Sequence, residues 1–234
     1  MHWDEDQLLS VAAASIAKAA LVSDESQEIR GIDSLDELEF HPLLARAFAD
    51  AGLGVYREFP LPGPMGRRSK KTERARCDLV LTHDPVRVPA DPMAVIFESD
   101  ERLQTLFAQS PMVQPRLATT PLEECYFLEV KSVGQWVYID GVPGPNRTYS
   151  SSLTGAIARD LKKLAADDRV TAGGVLLILF TQEREVADHD LPIALHRTLD
   201  RNILFRSPRM VGLPVANRIG NAWCTLMLVG KLTP

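Results

Sequence analysis

The chain is poor in cysteine. Cys77, Cys125 and Cys224 are its only three, scattered along 234 residues. They match no zinc-binding spacing and no disulfide framework, which points to a reducing cytoplasm as the compartment. The opening residues Met1-His2-Trp3-Asp4-Glu5-Asp6 are acidic and supply no basic n-region, so no secretory signal is expected. No apolar run reads as long enough for a membrane span. Internal repeats and low-complexity tails are missing. So are a glycine-rich phosphate loop and a nucleophile motif, which leaves an α/β metabolic enzyme without support. Nor is there an excess of positive charge. The formal net charge is −5, from 26 Lys and Arg against 31 Asp and Glu. That speaks against coating nucleic acid by bulk charge and leaves a local binding site open.

A hydrophobic content of 45% over this length is enough for a large domain with a core. Leu8, Leu9, Ala12, Ala13, Ile16, Ala17 and Ala20 recur at helical spacing and predict a helix over 6–21. Ser34 and Glu37 form a capping-box pattern ahead of a second helix, which contains Pro42 and stops at Gly52. Strands are expected over 55–61 and 77–82, with a basic loop over 66–76 between them. Residues 84–122 hold six prolines and one candidate helix, about 99–109, and read as an insert. A strand over 126–130 follows, then a Gly/Pro turn region over 140–150. Ser151 or Ser152 caps a helix running to about residue 168. The uninterrupted apolar stretch 175–181 is of the kind buried on both faces of a sheet. A helix over 190–204 and a strand over 223–229 complete the chain. This alternation predicts a three-layer α-β-α sandwich around a central mixed sheet, because the first three strands have no helices between them.

The third strand carries the chemistry. Glu129 and Lys131 project to one face and Leu128 and Val130 to the other. A buried strand has no packing reason to end in a carboxylate and an ammonium, since each is costly to bury unless it is paired or bound. Together they can hold a divalent cation and a reacting water.

Four features in order give the chain a resemblance to the PD-(D/E)XK nuclease-like superfamily, the restriction-endonuclease fold. They are Glu39 on the helix before the first strand, Asp78 in Arg76-Cys77-Asp78-Leu79, Glu129-Val130-Lys131, and a helix bearing Asp160-Leu161-Lys162-Lys163-Leu164 before an apolar fourth strand. Cys77 stands where the motif has proline. The resemblance covers about 34–181 of a single domain spanning 1–234. The helix over 6–21, the insert over 84–122 and residues 190–234 are elaborations on that core.

The resemblance implies a metal-dependent nuclease that hydrolyses phosphodiester bonds, with DNA as the substrate. Asp78 and Glu129, with the Val130 carbonyl, would hold Mg²⁺ or Mn²⁺. Lys131 would orient or deprotonate the attacking water, and Glu39 would reach the metal directly or through water. Arg67, Arg68, Lys70 and Lys71 lie in the basic loop, whose six cations face only Glu73, and would clamp a phosphate backbone. Residues 1–40 hold ten acids against Lys18 and Arg30, a face that would repel nucleic acid or meet a protein partner.

Plainer readings stand beside these. Asp78 fits a solvated strand start, Glu129 and Lys131 a structural ion pair, and the basic loop a solvated charge run. Glu58 reads as a salt-bridge partner and Gln135 as a loop residue. His41, His83, His189 and His196 lack ligand spacing. The rival function is a non-catalytic binding or interaction module on the same fold.

Overall fold

The computed structural model describes residues 2–61, 75–90 and 118–232. The basic residues Arg67, Arg68, Lys70 and Lys71 and the candidate helix over 99–109 lie outside them.

Helix α1 (Glu5–Glu25) starts where the Asp4 carboxylate accepts the backbone N–H groups of Asp6 and Gln7, both at 3.0 Å. It is long and apolar enough by composition to cross a membrane, a length the apolar runs in the sequence do not suggest. Here Leu8, Leu9, Ala12 and Ile16 lie buried in the core. Helix α2 (Glu37–Asp50) begins at Asp36. The Asp36 carboxylate accepts the Glu39 N–H at 3.0 Å, and the Glu39 carboxylate accepts the Asp36 N–H at 2.7 Å. Two helix-end donors are thereby satisfied at once. The box is therefore Asp36 with Glu39, not Ser34 with Glu37. An aspartate with a Glu three residues on satisfies the same rule, two residues later. Pro42 sits inside α2 without ending it.

Six strands form the central sheet: β1 (Gly54–Pro60), β2 (Arg76–Thr82), β5 (Tyr126–Gly134), β8 (Ala172–Thr181), β9 (Arg209–Pro214) and β10 (Trp223–Gly230). Their order is β1-β2-β5-β8-β10-β9, with β5 and β8 parallel and every other neighbouring pair antiparallel. The chain is thus a mixed α/β fold with a central mixed sheet. Two further pairs lie outside this sheet. One is β3 (Val88–Pro89) with β4 (Thr119–Thr120), and the other is a hairpin of β6 (Trp136–Ile139) with β7 (Val142–Pro145).

Helix α3 (Tyr149–Ala165) crosses from β5 to β8, and α4 (Arg184–Leu199) follows β8. Leu176, Ile178 and Phe180 of β8 pack with α1 and α2, while Val175, Leu177 and Leu179 pack with α3 and α4. That alternation explains the continuous apolar run: both faces of β8 are covered by helices.

The far edge is pinned to the start of the chain by an ion cluster. Glu5 is buried, and its carboxylate accepts from Arg209 at 2.7 Å and from the Tyr126 hydroxyl at 3.2 Å, with Arg206 at 3.6 Å. A buried carboxylate is tolerated only with such partners.

Several expectations are corrected. The 140–150 turn region contains the β6–β7 hairpin, whose turn residues Asp140 and Gly141 have φ of 51° and 82°. Asp-Gly is a strong two-residue hairpin signal. Strand β9 was not expected. Helix α3 begins at Tyr149, with Thr148 and not Ser151 or Ser152 at its N-cap position, and α4 begins at Arg184 with Pro192 inside it.

The capping box yields a stability test. Asp36→Ala should lower the unfolding free energy by about 1 kcal/mol, the usual cost of losing an N-cap. Chemical denaturation should show Glu39→Ala destabilising in the same direction, which a merely solvated Glu39 would not do.

Candidate functional site

The site lies where two strands part. Backbone pairing between β2 and β5 runs from Leu81 with Tyr126 to Leu79 with Leu128, and ends there. Beyond that point Val130 N–H has no strand partner on the β2 side. Asp78 replaces the strand: its Oδ2 accepts the Val130 N–H at 2.8 Å. Burying that N–H without an acceptor would be costly, so the carboxylate is held on β5 by the backbone itself.

Glu129 and Lys131 project to the α3 side of β5, as the alternation predicts. There they meet Asp160 and Lys163, three residues apart on α3 and therefore on one helix face. The ion pairs cross. Lys163 donates to Glu129 Oε2 at 2.8 Å, while Lys131 lies 3.6 Å from Asp160. Lys131 also donates to Glu37 Oε1 at 2.7 Å, which brings in the first turn of α2.

Glu37, His41 and Asp78 each offer a ligand atom, and these atoms lie within 4.8 Å of one another. Glu37 and His41 are four apart on α2 and share a face. His41 Nε2 is 3.9 Å from Asp78 and Nδ1 is 3.8 Å from Glu58. Among the described residues, five carboxylates, Glu37, Glu58, Asp78, Glu129 and Asp160, thus gather with two ammonium groups and His41. Such an imbalance suits a cation.

The electrostatics agree. Glu129 is 1% exposed, and burial with the nearby Asp78 carboxylate pushes its carboxyl up to about 7, against the pull of Lys163. Burial also raises Asp160, although Lys131 and Lys163 oppose it. Burial pushes both lysines down, but the hydrogen bonds and charges of their acidic partners outweigh it and leave both raised. Both ring nitrogens of His41, Glu129 Oε1 and Asp160 Oδ2 are buried without a hydrogen-bond partner. Unpartnered buried atoms beside the Glu37, His41 and Asp78 group fit a metal site, because a cation could take one of the two His41 nitrogens together with carboxylate oxygens.

The expected site residues divide. Asp78, Glu129 and Lys131 come together with the backbone of Val130. Glu39 does not join them: its carboxylate closes the capping box, and it borders a groove of about 910 Å³ between α1 and α2. That groove is lined by apolar side chains such as Val22, Leu35 and Leu43 and holds none of the orphaned ligand atoms. Glu37 occupies the place expected for Glu39. Gln135 ties strand ends together, its N–H donating to Phe180 O and its Oε1 accepting from Gln182 N–H. Sequence reasoning passed over His41, although its four-residue spacing from Glu37 on a helix was visible. Lys163 was noted only as part of its helix.

No family model, curated protein or solved structure matches the chain.

The raised Glu129 carboxyl has a consequence for stability. Its value in the folded protein exceeds the ordinary 4.5, so folding is penalised once the group must ionise. Without metal, its contribution to stability is full below pH 4.5 and is lost as pH rises through about 7, by roughly 3 kcal/mol at most. Glu129→Gln should therefore flatten this part of the stability–pH profile. Melting curves at pH 5 and pH 8 in EDTA should lie closer together in the variant than in the wild type, and its pH 8 midpoint should not fall.

Proposed function

We propose that the chain is a divalent-metal-dependent nuclease that hydrolyses phosphodiester bonds in DNA. The observation that carries this reading is the convergence of Asp78, Glu129 and Lys131 where β2 and β5 part, with Asp78 hydrogen-bonded to the Val130 backbone. The element order supports it too: a helix, strands β1, β2 and β5, helix α3 and strand β8 follow one another as the resemblance to the PD-(D/E)XK superfamily implies.

Asp78, Glu129 and the Val130 carbonyl would hold the Mg²⁺ or Mn²⁺ ion, with Glu37 in the role first assigned to Glu39. The bound cation supplies charge for the transferring phosphoryl group and lowers the pKa of a coordinated water. Lys163 occupies only Glu129 Oε2, which keeps Oε1 available to a ligand. Lys131 has three donors; Glu37 takes one at 2.7 Å, and Asp160 at 3.6 Å adds charge without a hydrogen bond. A remaining donor serves a water or a phosphate oxygen. Buried among carboxylates, its ammonium stays charged and positioned rather than solvated.

A cleavage assay on duplex DNA, single-stranded DNA and RNA, with Mg²⁺, with Mn²⁺ and with EDTA, tests the proposal. Asp78→Asn and Lys131→Met should each reduce DNA cleavage by about 10²-fold or more, and EDTA should abolish it. Lys131→Met should still bind metal. DNA that is bound but left uncut by the wild type in both metals would favour the non-catalytic module instead.

The phosphate clamp is part of the same proposal. Each Lys or Arg on a backbone phosphate releases about one counterion. In a Ca²⁺ salt titration, replacing Arg67, Arg68, Lys70 and Lys71 with Ser should flatten the log–log slope by roughly three to four. The loss should be the same for all DNA sequences, since phosphate contacts carry no base information. An unchanged slope would reduce the loop to a solvated charge run.

A further inference from the structure

His41 is the donor that an all-oxygen Mg²⁺ site has no use for. It is 1% exposed, and neither ring nitrogen makes a hydrogen bond. Both nitrogens nevertheless face carboxylates, Nε2 toward Asp78 Oδ2 at 3.9 Å and Nδ1 toward Glu58 Oε1 at 3.8 Å. These separations are too long for hydrogen bonds. For the Nε2–Asp78 side, 3.9 Å suits two ligands of one ion. Donors about 2.0–2.2 Å from a shared cation stand no more than about 4.4 Å apart. The three ligand atoms of Glu37, His41 and Asp78 lie within 4.8 Å of one another, so closing on one ion takes side-chain rotations on the order of an ångström. Asp78 and Glu37 each spend only one carboxylate oxygen on a hydrogen bond, to Val130 and Lys131.

Glu58 is the second observation. It lies on β1 opposite Asp78, between the pairs Arg57 with Leu79 and Phe59 with Cys77, and its φ is +51°. A glutamate gains nothing locally from left-handed backbone, and an extended strand disfavours it. What this backbone does is bring the carboxylate up to His41 Nδ1.

We propose that Glu58, His41 and the bound cation form a carboxylate–imidazole–metal line, and that this line makes the centre select Mn²⁺ over Mg²⁺. Glu58 accepts the Nδ1 proton and leaves the Nε2 lone pair aimed at the ion beside Asp78. Glu58 is a positioning residue and His41 a ligand. Imidazole suits transition-metal ions, whereas Mg²⁺ demands hard oxygen donors in near-ideal octahedral geometry, so a mixed nitrogen and oxygen set favours Mn²⁺. The inference rests on the preceding section only for where the cation sits.

The test is Mn²⁺ binding by the full chain, read by calorimetry and by pulsed EPR. The wild type should show one directly coordinated ¹⁴N and bind Mn²⁺ at least tenfold more tightly than Mg²⁺. His41→Asn should lose the ¹⁴N coupling and most of that preference. Glu58→Gln should weaken Mn²⁺ binding by about 10–100-fold, the usual effect of removing such a partner. Glu58→Gly should weaken it similarly while leaving the metal-free melting temperature unchanged or higher, because glycine adopts this backbone freely. A purely structural Glu58 would not separate the two readouts. Bound Mn²⁺ without ¹⁴N coupling in the wild type overturns the inference. Coupling without DNA cleavage upholds the inference and defeats the nuclease reading. Failure to bind Mn²⁺ defeats both.

Discussion

A single hydrogen bond sets the geometry of the candidate centre. At Asp78 the antiparallel ladder between β2 and β5 stops, and the carboxylate takes over the Val130 N–H that a strand backbone would otherwise have accepted. The gap this opens is narrow enough to be buried and wide enough to admit side chains from both helical layers. Glu37 and His41 enter from α2, and Asp160 and Lys163 from α3. Were the ladder to continue, Asp78 would be an ordinary strand residue and Glu129 a buried charge with one lysine for company.

The cluster holds together because its charges are interleaved. Neither lysine is matched with a single acid. Lys131 spans Glu37 and Asp160, linking α2 to α3 across the end of β5. Lys163 holds one oxygen of Glu129 and leaves the other, buried, without a hydrogen-bond partner. Buried carboxylates beside further negative charge are an unfavourable arrangement by themselves, and the raised Glu129 and Asp160 carboxyls record it. That the penalty is tolerated here supports the proposed binding role over a purely stabilising network.

Much of this was legible in the sequence. The alternation along Glu129-Val130-Lys131, the apolar run of β8 and the periodicity of α1 each follow from burial, and burial is what hydrophobic pattern encodes. Asp78 could be paired with the Glu-x-Lys strand because both sit at strand positions. What could not be read was side-chain choice between near neighbours. Ser34 with Glu37 and Asp36 with Glu39 are equally good capping boxes on paper. The structure takes the second, which frees Glu37 for the cluster and consumes Glu39. His41 was set aside although its spacing from Glu37 was in view, because its other neighbours, Glu58 and Asp78, come from β1 and β2 and leave no local signature. The β6–β7 hairpin is different: its Asp140-Gly141 turn was in view and was read only as a turn.

The buried cluster around Glu5 has a consequence for how the chain is made. Glu5 and Arg209 are 204 residues apart in sequence, yet they share an ion pair at 2.7 Å beneath the first turn of α1. On a ribosome Arg209 emerges 204 residues after Glu5. Until β9 and β10 arrive, α1 has an apolar face with much of its docking surface missing and an acid with neither arginine to meet it. Contacts of such high sequence separation form slowly. The early chain therefore carries a long apolar helix in waiting, and synthesis is the period in which it most needs protection from aggregation.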